Sequence, residues 1–249
     1  MGKNCEQFTE FPVLIKFIDA KDALSIQVHP SDEYALKHEG EYGKTEMWIV
    51  MDCEPGAFLY FGVNRALSKE EFRRRIEENT VLEVLNRVDV HPGDVFFIES
   101  GTIHAIGAGI LICEIQQNSN CTYRVYDYDR RGADGKPREL HIEKALAVSN
   151  LTPSAPEQRQ EAEQTVPGGS IGDLASCKYF TTQRLTVDGT MTLPVDDRSF
   201  VSLVITEGTG TATGSENAVS FQAGDSLFVP AGAGEIKLSG SCPDIKTTV

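Results

Sequence analysis

No apolar run in this 249-residue chain approaches the ~20 residues that a membrane-spanning helix needs, so membrane insertion is not expected. The first residues, MGKNCEQFTEF, lack the basic start and the apolar stretch of a signal peptide. The six cysteines (Cys5, Cys53, Cys113, Cys121, Cys177 and Cys242) form no C-x-x-C pair. That spacing excludes a zinc knuckle and a dithiol redox motif. Reduced thiols in the cytoplasm are the simplest expectation. Positive charge is also short: 23 Lys and Arg stand against 37 Asp and Glu, a net charge of −14. Such a field repels nucleic-acid phosphates, and no nucleic-acid partner is expected. A small phosphorylated substrate stays admissible, because a local basic cluster can override the global sign. Histidines number five, and none follows His141.

What is present is an ordinary globular composition, 40% hydrophobic, long enough for one or two domains. Short apolar and β-branched runs bounded by Gly, Pro and Asp predict strands at 11–18, 24–28, 47–51, 58–61, 95–98, about 104–107, 110–117 and 122–127. Ser31 ahead of Asp32 and Glu33 predicts a short helix at about 32–38. S-K-E-E from Ser68 puts Glu71 in the capping-box position and predicts a helix at about 69–78. Its Arg73, Arg74 and Arg75 read as a solvated face. Residues 81–85 read as a helical turn, and 140–148 have helical character. Residues 151–169 are rich in Pro, Glu, Gln and Ser without apolar periodicity and read as a linker. Strands resume at 179–187, 200–206, 218–221, 226–229 and 235–238.

The chemistry concentrates in residues 25–46, SIQVHPSDEYALKHEGEYGKTE. Residues i and i+2 of a strand share a face, so Gln27 and His29 can aim an amide oxygen and an imidazole at one point. Pro30 ends that strand, since it has no ladder hydrogen bond to donate. Glu46 from the next strand and His104, in PGDVFFIESGTIHAIG, can join them. Gln, His, Glu and His make a nitrogen and oxygen donor set suited to a divalent transition metal. Each histidine alone reads better as a hydrogen-bonded strand-end residue; the four together favour metal ligation. His38, His91 and His141 have no such context and read as surface or structural.

The segment from Pro92 to His104, PGDVFFIESGTIH, has a counterpart from Ala223 to Glu235, AGDSLFVPAGAGE. Both read as a turn, a buried strand, a second glycine turn, and a strand that opens on an inward side chain. Such a repeat signals duplicated domains. The pattern resembles the second motif of the cupins, small antiparallel jelly-roll barrels. The cupin metal histidine falls on His104 in the first copy and on Glu235 in the second. The first barrel is therefore the candidate metal site, and the second is expected to be structural.

A closer resemblance is carried by Q-V-H-P (27–30), K-T-E-M-W (44–48), G-T-I-H-A (101–105), Q-Q-N-S-N (116–120), Y-R-V-Y-D-Y-D-R (123–130) and P-R-E-L-H (137–141). These resemble the short bacterial form of type I mannose-6-phosphate isomerase over nearly the whole chain. The resemblance places the family's zinc ligands on Gln27, His29, Glu46 and His104. It places a catalytic arginine on Arg124, a substrate-contacting lysine on Lys44 and an acid/base carboxylate on Glu114. From the residues alone, Arg124 reads as an ion-pair partner of Asp127 or Asp129. Lys44 reads equally well as an exposed loop lysine, and Glu114 as a hydrogen-bonding group inside a barrel. Asn120 stands where many relatives have Asp. Relatives also carry several dozen residues, including W-G-G, ahead of a segment like F-P-V-L-I-K. A start without those strands is expected to expose sheet edges and favour pairing with another chain.

The resemblance thus implies a mainly β protein: two cupin-type jelly-roll barrels with a few short helices. The expected parts are a metal-binding barrel with a helical insert at 1–150, a linker at 151–170, and a metal-free barrel at 171–249. It implies one Zn²⁺ per chain, with Mn²⁺ or Co²⁺ as substitutes, and a small sugar phosphate as partner of a cytoplasmic monomer or homodimer. The implied reaction interconverts mannose 6-phosphate and fructose 6-phosphate through an enediolate. The alternative is a non-catalytic sugar-phosphate-binding cupin.

Overall fold

A computed structural model describes residues 1–132, 135–156 and 162–249. In chain order the first elements are β1 (Val13–Ala20), β2 (Ile26–Val28), α1 (Asp32–His38), β3 (Glu46–Cys53), β4 (Phe58–Val63), α2 (Lys69–Glu77) and β5 (Leu85–Asp89). Then come β6 (Val95–Ile98), β7 (His104–Ile106), β8 (Ile110–Gln117), β9 (Tyr123–Tyr126) and α3 (Ile142–Val148). The later elements are β10 (Glu163–Val166), β11 (Gly169–Ser176), β12 (Thr181–Val195), β13 (Val201–Ile205), β14 (Thr209–Thr213), β15 (Ala218–Gln222), β16 (Ser226–Val229) and β17 (Gly234–Thr248). The protein is mainly β, as expected. No helix among the described residues is long and apolar enough to cross a membrane.

The chain forms two compact units, Leu14–Gln158 and Met1–Val13 with Arg159–Val249. In the first, a four-stranded sheet has the order β1-β8-β3-β6 and a five-stranded sheet the order β5-β4-β7-β2-β9. Trp48, Val50, Phe96, Ile98, Ile110 and Ile112 from one sheet share a core with Leu59, Phe61 and Ile106 from the other. The other face of the five-stranded sheet is covered by helices: Ile26, Val28, Ala105, Tyr123 and Val125 pack with Phe72 and Ile76 of α2 and Ala145 and Leu146 of α3. β7 is consequently buried on both sides. The predicted caps form: Ser31 Oγ accepts the Tyr34 N–H and Ser68 Oγ the Glu71 N–H. The Glu71 carboxylate goes to Arg65 rather than back to the cap. Arg73 and Arg75 pair with Glu143 and Glu83 at the surface.

The second unit is built on the long antiparallel partners β12 and β17, paired along their full length. Their inward side chains Leu185, Val187, Leu193, Ile236 and Leu238 pack with Leu203, Ile205 and Phe221. Of the expected linker, residues 157–161 lie outside the described residues, while Glu163–Val166 is a strand and the linker's last residues open the strand Gly169–Ser176. The two strands form a hairpin with Val166 paired to Gly169 across Pro167 and Gly168. The apolar signal is missing because β10 is an exposed edge strand.

The repeat is visible in the turns. Gly93 donates to Val50 O and Gly224 to Ile205 O, while Val50 and Ile205 N–H donate back to the carbonyls of Asp94 and Asp225. Asp94 Oδ2 accepts the His91 N–H and Asp225 Oδ2 the Gln222 N–H, both at 2.8 Å. The repeat ends differently from expectation. His104 points into the interior, but Glu235 is exposed and Ile236 takes the inward place. Gly234, with φ of +79°, precedes Glu235 and sets the strand one residue out of phase.

Candidate active site

Strand register gathers the predicted residues of the first unit. On β2, Gln27 is the cross-strand partner of His104 on β7 and of Arg124 on β9. Directly opposed residues of an antiparallel pair project from the same face. Gln27, His104 and Arg124 therefore share the face that carries Ile106 into the core. From the other sheet, Glu46 and Trp48 on β3 stand opposite Gln116 and Glu114 on β8. His29 follows β2 directly and is buried, as are Glu46 and His104.

The histidines are held by their backs. His29 Nδ1 donates to the Cys121 carbonyl at 3.0 Å, and His104 Nδ1 to the Thr102 carbonyl at 2.8 Å. A carbonyl only accepts, so both Nε2 atoms carry lone pairs. His29 Nε2 lies 3.5 Å from Glu46 Oε2, and His104 Nε2 lies 3.3 Å from Glu46 Oε1. One donor atom from each of the three residues falls within 4.8 Å of the others. Both Nε2 atoms and Glu46 Oε1 are buried without a hydrogen-bond partner. Orphaned buried acceptors are costly unless something fills the point they face, and a divalent cation fits this donor set. Burial, with the charge of Lys44, holds the His29 pKa well below the usual imidazole range. Burial also lowers that of His104, against the opposing pull of Glu46. Both rings are thus neutral and able to ligate at neutral pH.

Lys44 and Glu114 lie beside this point, and Arg124 shares a sheet face with Gln27. Lys44 is buried, not an exposed loop lysine; its Nζ lies 2.6 Å from Glu46 Oε2 and 3.8 Å from Glu114 Oε1. Burial pulls its pKa down, but the carboxylates of Glu46 and Glu114 outweigh that and raise it. Glu114 Oε2 accepts the Trp48 indole N–H at 3.0 Å, and its Oε1 accepts Lys16 Nζ at 3.0 Å. Arg124 pairs with neither Asp127 nor Asp129. Asp127 is held by Arg130 and Arg138, and Asp129 lies near Arg131. Arg124 Nη1 donates instead to the Glu139 carbonyl at 2.9 Å. Burial and the neighbouring guanidiniums lower its pKa.

Sequence reasoning missed Lys16, Trp48 and Gln116. Lys16, in β1, also bonds Gln116 Oε1, and at 35% side-chain exposure it is the ammonium of the group that reaches solvent. A cation inside the short apolar run FPVLIKFI was the available signal. The Trp48 ring meets the His104 ring edge to face at 5.3 Å. Gln116 Nε2 donates to the Gln117 and Ser119 carbonyls. That shapes the loop carrying Cys121.

The family model for the cupin domain of mannose-6-phosphate isomerase matches residues 170–249. Mannose-6-phosphate isomerase ManA of Bacillus subtilis (strain 168) is 44% identical over 231 residues, 92% of this chain and 72% of that protein. This chain belongs to the mannose-6-phosphate isomerase family. The mannose-6-phosphate isomerase of Streptococcus mutans is 40% identical over 220 residues, covering 88% of this chain and 68% of that protein. The crystal structure of mannose 6-phosphate isomerase from Bacillus subtilis matches with a TM-score of 0.89 at 35% identity, covering 96% of this chain and 76% of that one. The cupin architecture and the type I isomerase membership expected from the motifs agree with these relatives.

Proposed function

We propose that this chain interconverts mannose 6-phosphate and fructose 6-phosphate through an enediolate, at a divalent metal held by Gln27, His29, Glu46 and His104. The observation that carries the reading is the pair of back-bonded histidines whose unpartnered Nε2 atoms converge on the buried Glu46. Zn²⁺, one per chain, suits these ligands, with Mn²⁺ or Co²⁺ as substitutes. When bound, the ion supplies Lewis-acid stabilisation of charge on oxygen.

The chain's own residues supply the rest. Arg124 offers its guanidinium to oxygen as negative charge grows along the reaction. Interactions stronger in the transition state than in the ground state raise kcat. Lys44 binds a sugar oxygen and keeps the paired carboxylates compensated. Glu114, fixed by Trp48 and Lys16, takes the proton-transfer role between adjacent carbons. Lys16 adds a solvent-reaching positive charge in a protein of net charge −14, where an anionic substrate needs local cations. Six free cysteines accord with a cytoplasmic location.

The test is metal analysis of the purified protein beside a coupled assay with mannose 6-phosphate. The reading expects about one divalent ion per chain and turnover. Arg124→Ala should lower kcat by on the order of 10²–10³ with metal retained. Arg124→Lys should restore only part, because an ammonium is not a planar fork. Wild-type protein that binds metal and sugar phosphate without turnover would overturn the reading in favour of a binder.

A further inference from the structure

We propose that His141 is a positioning residue that sets the place of Arg124, through hydrogen bonds to both backbone polar atoms of that residue. The inference rests on the reading of Arg124 as the guanidinium facing the reacting sugar. β9 is the edge of its sheet, so backbone groups on its free side must find partners outside the ladder. His141 supplies both. Its Nδ1 accepts the Arg124 N–H at 3.0 Å, and its own N–H donates to the Arg124 carbonyl at 2.8 Å. The Glu139 carbonyl takes the third bond, from Arg124 Nη1. Residues 139–141 thus stand in for a neighbouring strand at this one position.

Two further observations separate this from ordinary helix capping. His141 is the N-cap residue of α3, yet its side chain makes no capping hydrogen bond. The ring is committed to Arg124, packs near Tyr123 with centroids 6.2 Å apart, and is half-buried. The segment is also tied down just upstream, where Arg138 Nε donates at 2.6 Å to buried Asp127, the residue that follows β9.

The acceptor role needs a neutral ring, because a protonated Nδ1 would set one N–H against another. The charged groups around the ring are Arg124 on β9, Glu139 before α3, Lys144 on α3 and Glu39 after α1. Burial first, then Arg124, lowers its pKa. The clamp therefore holds at neutral pH and opens in acid.

The experiment measures kcat, KM, metal content and thermal midpoint for wild type, His141→Ala and His141→Asn across acid and neutral pH. His141→Ala should lower kcat about 10–100-fold with metal retained and KM changed by less than about threefold, since a small misplacement of a working group carries losses of that size. Asn Oδ1 can accept the same N–H, so His141→Asn should recover kcat to within about threefold of wild type and lack the imidazole's acid limb. His141→Asn as slow as His141→Ala, or a fall in thermal midpoint with kcat intact, overturns the proposal. A slow Arg124→Ala beside a full-speed His141→Ala overturns it while leaving the reading of the site standing. An Arg124→Ala variant as fast as wild type overturns that reading, and this inference with it.

Discussion

The turn at Gly93-Asp94 and the turn at Gly224-Asp225 are built alike, yet the strands that follow them have opposite uses. Both glycines have positive φ, +94° and +89°, and both aspartates close the turn onto a backbone N–H three residues earlier. After the first turn, β6 carries buried Phe96 and Ile98, and β7 opens on His104, sealed from water by the core on one side and the helices on the other. After the second, Leu227 and Val229, at the places of Phe96 and Ile98, are only half-buried, and β17 opens on an exposed Glu235. The shared feature is a way to turn the chain. What makes a site is the cover, which desolvates the donors, and the phase of the strand, which aims them inward.

The sharpest test of that contrast exchanges the two positions. His104→Ala should empty the metal site and depress turnover by more than the ~10–100-fold that loss of an outer partner of a ligand costs. Glu235→Ala and Glu235→His should change neither metal content nor turnover, because residue 235 is on the exposed face and belongs to no group of potential metal donors among the described residues. Full metal occupancy in His104→Ala, or a second ion bound by Glu235→His, would break the comparison. Metal analysis and the coupled assay read both.

Much of the candidate site was legible because its proposed ligands sit in short motifs: Gln27 and His29 two residues apart, Glu46 just after Lys44. The pairing that unites them, Gln27 with His104 and Arg124, is a matter of register between strands far apart in sequence. Local charge spacing pointed Arg124 towards Asp127 or Asp129, but register sets Arg124 opposite Gln27 while Asp127 is taken by Arg130 and Arg138. His141 read as surface or structural because its partner lies 17 residues away, through backbone atoms that no side-chain pattern reports. The strand β10 read as linker because an exposed edge strand shows little apolar periodicity. Glu235 read as inward-facing because its spacing from Gly232 matches that of His104 from Gly101, and spacing does not report the positive φ of Gly234.

The two units also bury carboxylates in contrasting company, which predicts pH effects of opposite sign. Burial would raise the Asp127 pKa, but hydrogen bonds from Arg138 and Arg130 outweigh it and lower it. Its stabilisation is present above the unfolded value of 3.8 and lost as pH falls through the depressed folded value. Asp244 lies fully buried in the second unit, between Leu185 and Ile205 in the ladder, with the Cys242 thiol 3.6 Å away. Burial raises its pKa from 3.8 to about 6. The folded state then holds this proton more tightly than the unfolded one, so its contribution is full below 3.8 and is lost as pH rises through about 6. A rise of that size corresponds to roughly 3 kcal/mol. Asp244→Asn should flatten that stretch of the stability profile, read from urea midpoints between pH 4 and 7. A slope unchanged by the substitution would show that Asp244 is not the group responsible.

The smallest effect expected is also the one that should be equal in the two units. An added Cβ at Gly93 or at Gly224 meets nothing within 4 Å. Substitution by alanine therefore adds only the strain of an L-residue at positive φ, roughly 1–2 kcal/mol at each site. Neither change should alter turnover. Gly93 lies beside Val50, at the far end of the β3–β6 ladder from the Glu46–Ile98 pair, and Gly224 is in the unit that does not hold Glu46, His29 or His104. Equal losses in urea-unfolding stability with kcat preserved would show that the two turns are the same device. A Gly93→Ala variant with normal stability but depressed kcat would show instead that the first turn has been drawn into positioning Glu46, and the likeness of the two copies would stop at their hydrogen bonds.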